Sequence, residues 1–217
     1  MRLLVATGNP DKLREIRSLL GHLAVELLTL RDFQPVPEPE ETGATFQDNA
    51  RLKALYYDGA VAQPAAAVQC GPVVYTVAED SGLAVDALGG DPGIHSARFP
   101  RPDATYPERF AELYRRLSSA PRPWSARFVC AVALVHAGRV LDETIGTIEG
   151  EIAPEPRGSR GFGYDPIFYY PPYGRTLAEV PEVDKMRVAH RGHAFRQLAR
   201  QLEGSATNSE LRTEHRT

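Results

Sequence analysis

Cysteine is scarce in this chain: Cys70 and Cys130 are the two among 217 residues, and they have neither metal-site nor redox-pair spacing. They read as thiols in a reducing compartment. No apolar run is long enough to cross a bilayer, and the one at the N-terminus is too short for a signal peptide, so a cytoplasmic protein without membrane contact is expected. An excess of positive charge is also missing. Lysine and arginine number 25 against 28 acids, a formal net charge of −3, which argues against broad nucleic-acid binding and leaves any phosphate ligand to a few local cations. There is no G-x-x-x-x-G-K-[ST], which excludes a Walker A loop, and no G-x-S-x-G with a placed histidine, which removes a serine hydrolase. Repeats and domain linkers are absent too.

What is present suits one globular domain. At 217 residues, 42% of them hydrophobic, the chain can bury a core without disulfides or structural metal. Leu3 to Ala6 reads as a buried strand. Leu13, Ile16, Leu20 and Leu23 follow at helical spacing, and Val25 to Leu30 reads as a second strand, giving a β-α-β opening. A proline-rich loop leads to a helix over Thr45–Ala62 and then a strand over Val73–Ala78. Glu79-Asp80-Ser81-Gly82 is expected to be a turn ahead of Leu83-Ala84-Val85. Thr105 and Glu108 predict a capping box for a helix with Phe110, Leu113, Tyr114 and Leu117 on one face. Arg127–Val135 and Arg139–Ile152 read as a hairpin joined at His136-Ala137-Gly138. A last helix is predicted from near Ala189 to Leu202, stopped by Gly204. The domain is thus expected to span 1–204, with 205–217 a disordered tail. The class is α/β: strands and helices interleaved around one long twisted sheet.

Four constellations carry chemistry. Thr7-Gly8-Asn9-Pro10-Asp11-Lys12 joins the first strand to the first helix, where backbone N–H groups, an amide, a hydroxyl and an ammonium can reach one anion. Alone, the pattern fits equally well a cap and an exposed lysine. Asn49 and Lys53, four apart on a helix behind Glu40-Glu41-Thr42-Gly43, point one way, as an exposed polar stripe also would. Glu79-Asp80-Ser81-Gly82 places two acids at the end of a strand, where α/β proteins keep their chemistry. Phe162-Gly163-Tyr164-Asp165, with Lys185 and His190-Arg191-Gly192 downstream, offers a ring, a carboxylate and a guanidinium to a heterocyclic base.

The ordered motifs T-G-N-x-x-K, E-E-T-G-x-T-F-x-x-N-A-x-x-K-A, E-D-S-G-L, G-G-x-P-G-I-x-S-A-R, G-F-G-Y-D-P-I-F and H-R-G run from Thr7 to Gly192. Together they strongly resemble the inosine triphosphate pyrophosphatases, the non-canonical purine NTP pyrophosphatases. The resemblance implies an elongated, strongly twisted mixed sheet flanked by helices, with two lobes around a central nucleotide-binding cleft. It also implies a homodimer, a Mg²⁺ requirement, and hydrolysis of ITP, dITP and XTP to monophosphate and pyrophosphate.

By the same resemblance Thr7, Gly8, Asn9, Pro10, Asp11, Lys12 and Lys53 form the triphosphate clamp, with Ser81 nearby. Asp80 is the proton acceptor and a metal ligand, Glu40 a second metal carboxylate, and Glu79 a less direct contributor. Phe162 stacks on the base within Phe162-Gly163-Tyr164-Asp165. Asp165, His190 and Arg191 read its edge, and Lys185 reaches toward the nucleotide. Lys12 and Lys53 are expected to be solvated in the empty cleft, and Arg191 to have a donor for a 6-oxo group. Ala189 stands where many members have serine, and 57–74 is longer than in compact members and reads as a surface extension. The alternatives are a pyrophosphatase for dTTP, UTP or modified pyrimidine nucleotides, and a nucleotide-binding regulator without turnover.

Overall fold

The computed structural model describes residues 1–61 and 75–214. Cys70, most of the expected extension and the first residues of the expected Val73–Ala78 strand lie outside the described residues. The chain opens with β1 (Arg2–Val5), α1 (Pro10–Leu20) and β2 (Glu26–Thr29), the anticipated β-α-β unit, with β1 and β2 parallel. Next come α2 (Phe46–Val61), β3 (Tyr75–Val85) and α3 (Tyr106–Leu117). The predicted Thr105–Glu108 capping box starts α3, which buries Phe110, Leu113 and Leu117. The hairpin is β4 (Ser125–His136) and β5 (Arg139–Ile152), which leaves a two-residue turn at Ala137-Gly138. Short strands β6 (Phe168–Tyr170) and β7 (Arg175–Thr176) precede α4 (Glu182–Val188) and α5 (His190–Glu214).

One mixed sheet runs β2-β1-β3-β4-β5-β6-β7, parallel from β2 to β3 and antiparallel beyond. Because strand side chains alternate, β3 deals its residues to two faces. Val77 joins a core with Ile16, Leu20, Phe195 and Leu198 from α1 and α5, while Ala78 joins another with Ala50, Ala54 and Tyr57 from α2. Leu83 and Val85, on the Val77 face, enter a third core with Phe110, Leu113 and Phe168. The sheet is thus covered by α2 on one face and by two separate hydrophobic clusters on the other.

Two expectations are corrected. Glu79-Asp80-Ser81-Gly82 is not a turn but the middle of β3, paired residue for residue with Val132, Ala131, Cys130 and Val129 of β4. A long-range partner overrides the local turn chemistry of Asp, Ser and Gly. The last helix does not stop at Gly204, since its backbone continues to Glu214. A glycine inside a helix costs only about 1 kcal/mol relative to alanine, too little to end one by itself.

The site arises where the sheet loses a strand. β1 pairs with β3 only over Tyr75–Val77, whereas β4 follows β3 from Thr76 to Val85. Among the described residues β3 is therefore strand-paired on one side only from Glu79 to Gly82, and the chain leaving β1 turns there into α1. This is the carboxyl-end opening that α/β sheets offer to ligands.

Candidate active site

Asn9 caps α1: its Oδ1 accepts from the N–H groups of Asp11 (2.9 Å) and Lys12 (3.2 Å), and its own N–H donates to Thr7 Oγ1 (3.2 Å). Asn9 is thus a helix cap, and Lys12 lines the opening. Pro10 starts the helix, and the Asp11 carboxylate is taken by Arg14 at 2.7 Å. Lys12 reaches Glu79 Oε1 at 3.0 Å.

On the α2 face of β3, Lys53 Nζ donates to Asp80 Oδ1 (2.9 Å) and Glu41 Oε1 (2.7 Å), while Arg98 holds the other Glu41 oxygen at 3.0 Å. Asn49 Nδ2 donates to Asp80 Oδ2 at 3.4 Å, and Asn49 Oδ1 accepts the Gly43 N–H at 2.8 Å, tying the Glu40–Gly43 loop to the strand. Asn49 and Lys53 are buried, so the exposed-stripe alternative is out, and the expectation of a solvated Lys53 is corrected. Two carboxylates draw this ammonium in. Burial alone would lower its pKa, but Asp80 and Glu41 outweigh that and raise it. Burial holds the Asp80 carboxyl above its ordinary value despite Lys53. Glu41 goes the other way, lowered by Lys53 and Arg98 against its burial. Glu40, named from the sequence, is exposed, and its neighbour Glu41 is the acid bound into the cluster.

The opposite face is drier. Arg191 is 1% exposed. Its Nε and Nη2 donate to Glu79 Oε1 (3.3 and 3.0 Å), Nη1 to Glu15 Oε2 (2.7 Å), and Nη2 also to Ser81 Oγ (2.9 Å). These bonds occupy four of the five N–H donors of a guanidinium, which leaves one on Nη1. The anticipated free edge-reader is thus largely committed within the protein. Glu79 is fully buried. Desolvation works to raise its pKa, yet Arg191, Lys12 and Lys53 hold it well below the usual carboxylate range. Cys130 Sγ donates to the other Glu79 oxygen at 3.4 Å, and burial pushes this thiol well above its ordinary value.

Glu15 of α1 bridges Arg191 and Lys185, the latter at 3.0 Å, and Lys185 also reaches Asp165 Oδ2 at 2.5 Å. That same oxygen accepts the Phe162 N–H at 2.8 Å. Burial raises the Asp165 pKa against the pull of Lys185. The loop can fold back this tightly because Gly161 has φ +70°, and a Cβ there would strike Asp165 Oδ2. Asp165 thus holds the loop, Gly163 continues it, and Tyr164 anchors it by packing in the core and donating to the Ser96 carbonyl at 2.9 Å. The Phe162 ring lies 5.0 Å from Lys185 Nζ and 5.6 Å from the Arg191 guanidinium carbon.

His190 stacks on Phe128, with ring centroids 4.8 Å apart and planes 18° from parallel. It sits against the sheet because α5 begins over Gly146, where a Cβ would collide with the His190 carbonyl. Burial and the Arg191 charge hold its pKa well below the ordinary histidine value, so the ring is neutral, and its buried Nδ1 has no hydrogen-bond partner among the described residues. With Asn9, Lys12, Ser81, Tyr106, Phe162 and Arg191 it lines one cavity. An apolar ring face, an unsatisfied imidazole nitrogen and paired cations in one opening suit a planar heterocycle carrying anionic groups.

The model of the Ham1 family matches residues 3–201. The chain belongs to the Ham1 family. It is 41% identical over 202 residues to a dITP/XTP pyrophosphatase of Geobacillus kaustophilus, covering 93% of this chain and 94% of that protein. Against a dITP/XTP pyrophosphatase of Thermus thermophilus it is 44% identical over 201 residues, covering 91% and 90%. The solved Ham1 protein of Coxiella burnetii superposes with a TM-score of 0.82 at 38% identity, covering 94% of this chain and 99% of that one.

Sequence reasoning missed Glu15, Glu41 and Arg98 as members of these Ham1 clusters. Glu15 had a readable signal: it lies next to Ile16 in the inward stripe of α1 and three residues after Lys12, an acid where an apolar residue is expected.

Proposed function

We propose that this Ham1 protein hydrolyses the non-canonical purine nucleoside triphosphates ITP, dITP and XTP to the monophosphate and pyrophosphate, with Mg²⁺. The reading rests on one observation above all: Asp80 and Glu79, neighbours in one strand, send one carboxylate to Lys53 on one face and the other to Arg191 and Lys12 on the opposite face. Family membership and relatives named dITP/XTP pyrophosphatases support it.

In this reading the base enters the cavity beneath Phe162 and meets the His190 edge, with the remaining Arg191 N–H as a donor to a 6-oxo group. Adenine has an amino group there and leaves such a donor unpaired, which costs about 1–3 kcal/mol. Lys12, the Asn9 amide and backbone N–H groups at the start of α1 meet the phosphates, and Lys53 meets the end nearest Asp80; Thr7 holds Asn9 in place through the Asn9 N–H. Asp80 takes the proton of the attacking water, a role suited to a carboxylate held above its ordinary value.

Among the described residues no three His, Cys, Asp or Glu side chains gather into a metal cage. Mg²⁺ does not need one, since it commonly takes one or two carboxylates plus phosphate oxygens and water. Asp80, with Glu40 or Glu41 from the adjoining loop, fits that donor set. When bound, the ion supplies charge neutralisation at the phosphates. In the free protein every cation of the cleft already faces an acid, so added positive charge is what a triphosphate requires. A second copy of the chain is the expected partner.

Release of pyrophosphate from ITP, XTP, ATP, GTP, dTTP and UTP, with and without Mg²⁺, tests the proposal. Strong Mg²⁺-dependent release from ITP and XTP is expected. Preference for the pyrimidine triphosphates would favour a pyrimidine house-cleaning enzyme, and tight binding without release a regulator.

A further inference from the structure

A second cavity, of about 300 Å³, lies behind the clamp loop. Its walls include Thr7, Gly8 and Pro10, with Arg14 and Arg17 from α1 and Arg31 from the 3-10 turn after β2. Leu13 and Leu30 are its apolar part. Asn9 of the same loop lines the active-site cavity instead, so Thr7–Pro10 separates the two cavities.

The two cavities differ in what surrounds their charges. In the catalytic cleft Lys12, Lys53, Lys185 and Arg191 each face at least one carboxylate. Among the described residues the second cavity has three arginines and no acid in its lining, within a chain of net charge −3. Arg14 is held by Asp11 at 2.7 Å and Glu182 at 3.4 Å, whereas Arg17 and Arg31 have no carboxylate partner among the described residues. Arg31 sits on a rigid base. Thr29 and Asp32 form a reciprocal capping box around it, with the Thr29 N–H donating to Asp32 at 2.7 Å. The lining has no aromatic ring, so nothing there recognises a base, and guanidinium groups suit phosphate oxygens through paired hydrogen bonds.

The geometry points to a second anion site here, one that takes a compact polyphosphate, inorganic pyrophosphate or the phosphate tail of a nucleotide, on the back of the clamp loop. Its occupancy bears on Thr7, Gly8 and Pro10 and so couples to the catalytic side. The binding claim stands apart from the proposed reaction, because it needs no turnover.

Calorimetric titration of the full chain with inorganic pyrophosphate, and separately with ATP, tests it. The wild type is expected to take up at least one of these at two sites. Arg17→Glu with Arg31→Glu should abolish one and leave the other, whereas Lys12→Ala should weaken only the one that the Glu pair leaves. Both arginines are exposed, so the fold should survive. The milder Arg17→Gln with Arg31→Gln should weaken the same site by about tenfold or more, in keeping with loss of charge-assisted bonds. A single site for both ligands, unaffected by either arginine pair, overturns the inference and leaves the proposed activity untouched. Two sites in a protein that releases no pyrophosphate from ITP would sink the activity and leave this site standing.

Discussion

The two faces of β3 differ more than their single-residue separation suggests. On one, Asp80 is linked to Lys53, Asn49 and, through Lys53, to Glu41, a cluster that keeps some access to water. On the other, Glu79 is sealed among Arg191, Lys12 and Cys130, with Glu15 and Lys185 behind. The difference teaches that strand alternation alone separates two tasks. A partly wet carboxylate can exchange a proton, while a dry, fully paired one fixes the cations that face the ligand.

The sharpest break in this contrast is Arg191→Ala. Removing the buried guanidinium takes from Glu79 and Glu15 their shared partner, leaving them only the cations Lys12 and Lys185, and should cost about 3–5 kcal/mol of stability, read by urea denaturation. In the fraction that folds, the ratio of ITP to ATP use should shrink. Ordinary stability would mean that the dry face holds less together than its geometry indicates.

The two lysines sharpen the comparison at smaller amplitude. Lys53→Ala takes the ammonium from Asp80, leaving it Asn49, and leaves Glu41 only Arg98, and should cost about 1–3 kcal/mol. Lys12→Ala leaves Glu79 its Arg191 and, with a fifth of its side chain exposed, should cost under about 1 kcal/mol. Both should weaken triphosphate use. Thermal denaturation beside steady-state kinetics separates the two effects, and equal stability losses would erase the distinction drawn between the faces.

The smallest effect is in pH. Because His190 is depressed in the fold, the unfolded chain binds a proton there that the native state does not. Its contribution is present above the unfolded histidine value, near 6.5, and is lost as pH falls toward the depressed folded value, by at most about 1.4 kcal/mol per pH unit. Denaturation midpoints at pH 7, 6 and 5 should fall more steeply in the wild type than in His190→Asn. Identical slopes would indicate a histidine that charges normally.

Much of this was legible in the sequence because it is local. The β-α-β opening, the Thr105 capping box and the hairpin depend on neighbours within a turn or two. Glu79–Gly82 misled because its composition suits a turn, whereas its partner strand lies far along the chain. Asn9, Lys12, Ser81, Phe162, Lys185, His190 and Arg191 line one cavity, whereas Glu40 is exposed and Asp11 is taken by Arg14, and the pairing within the clusters was not readable. Nothing in Arg191 or Lys185 reveals that Glu15 waits beneath both, and the solvated Lys53 expected from the sequence is buried because two acids from separate elements converge on it.

Asp80→Asn tests the division of labour most directly. The measurement is pyrophosphate release from ITP and ATP with Mg²⁺, as kcat and KM, for wild type and variant. The account predicts a fall in kcat of about 10²-fold or more, the range for a lost general base, with the ITP to ATP ratio of kcat/KM and the binding of ITP nearly unchanged. Ordinary turnover in the variant, or a collapsed ratio, would contradict it.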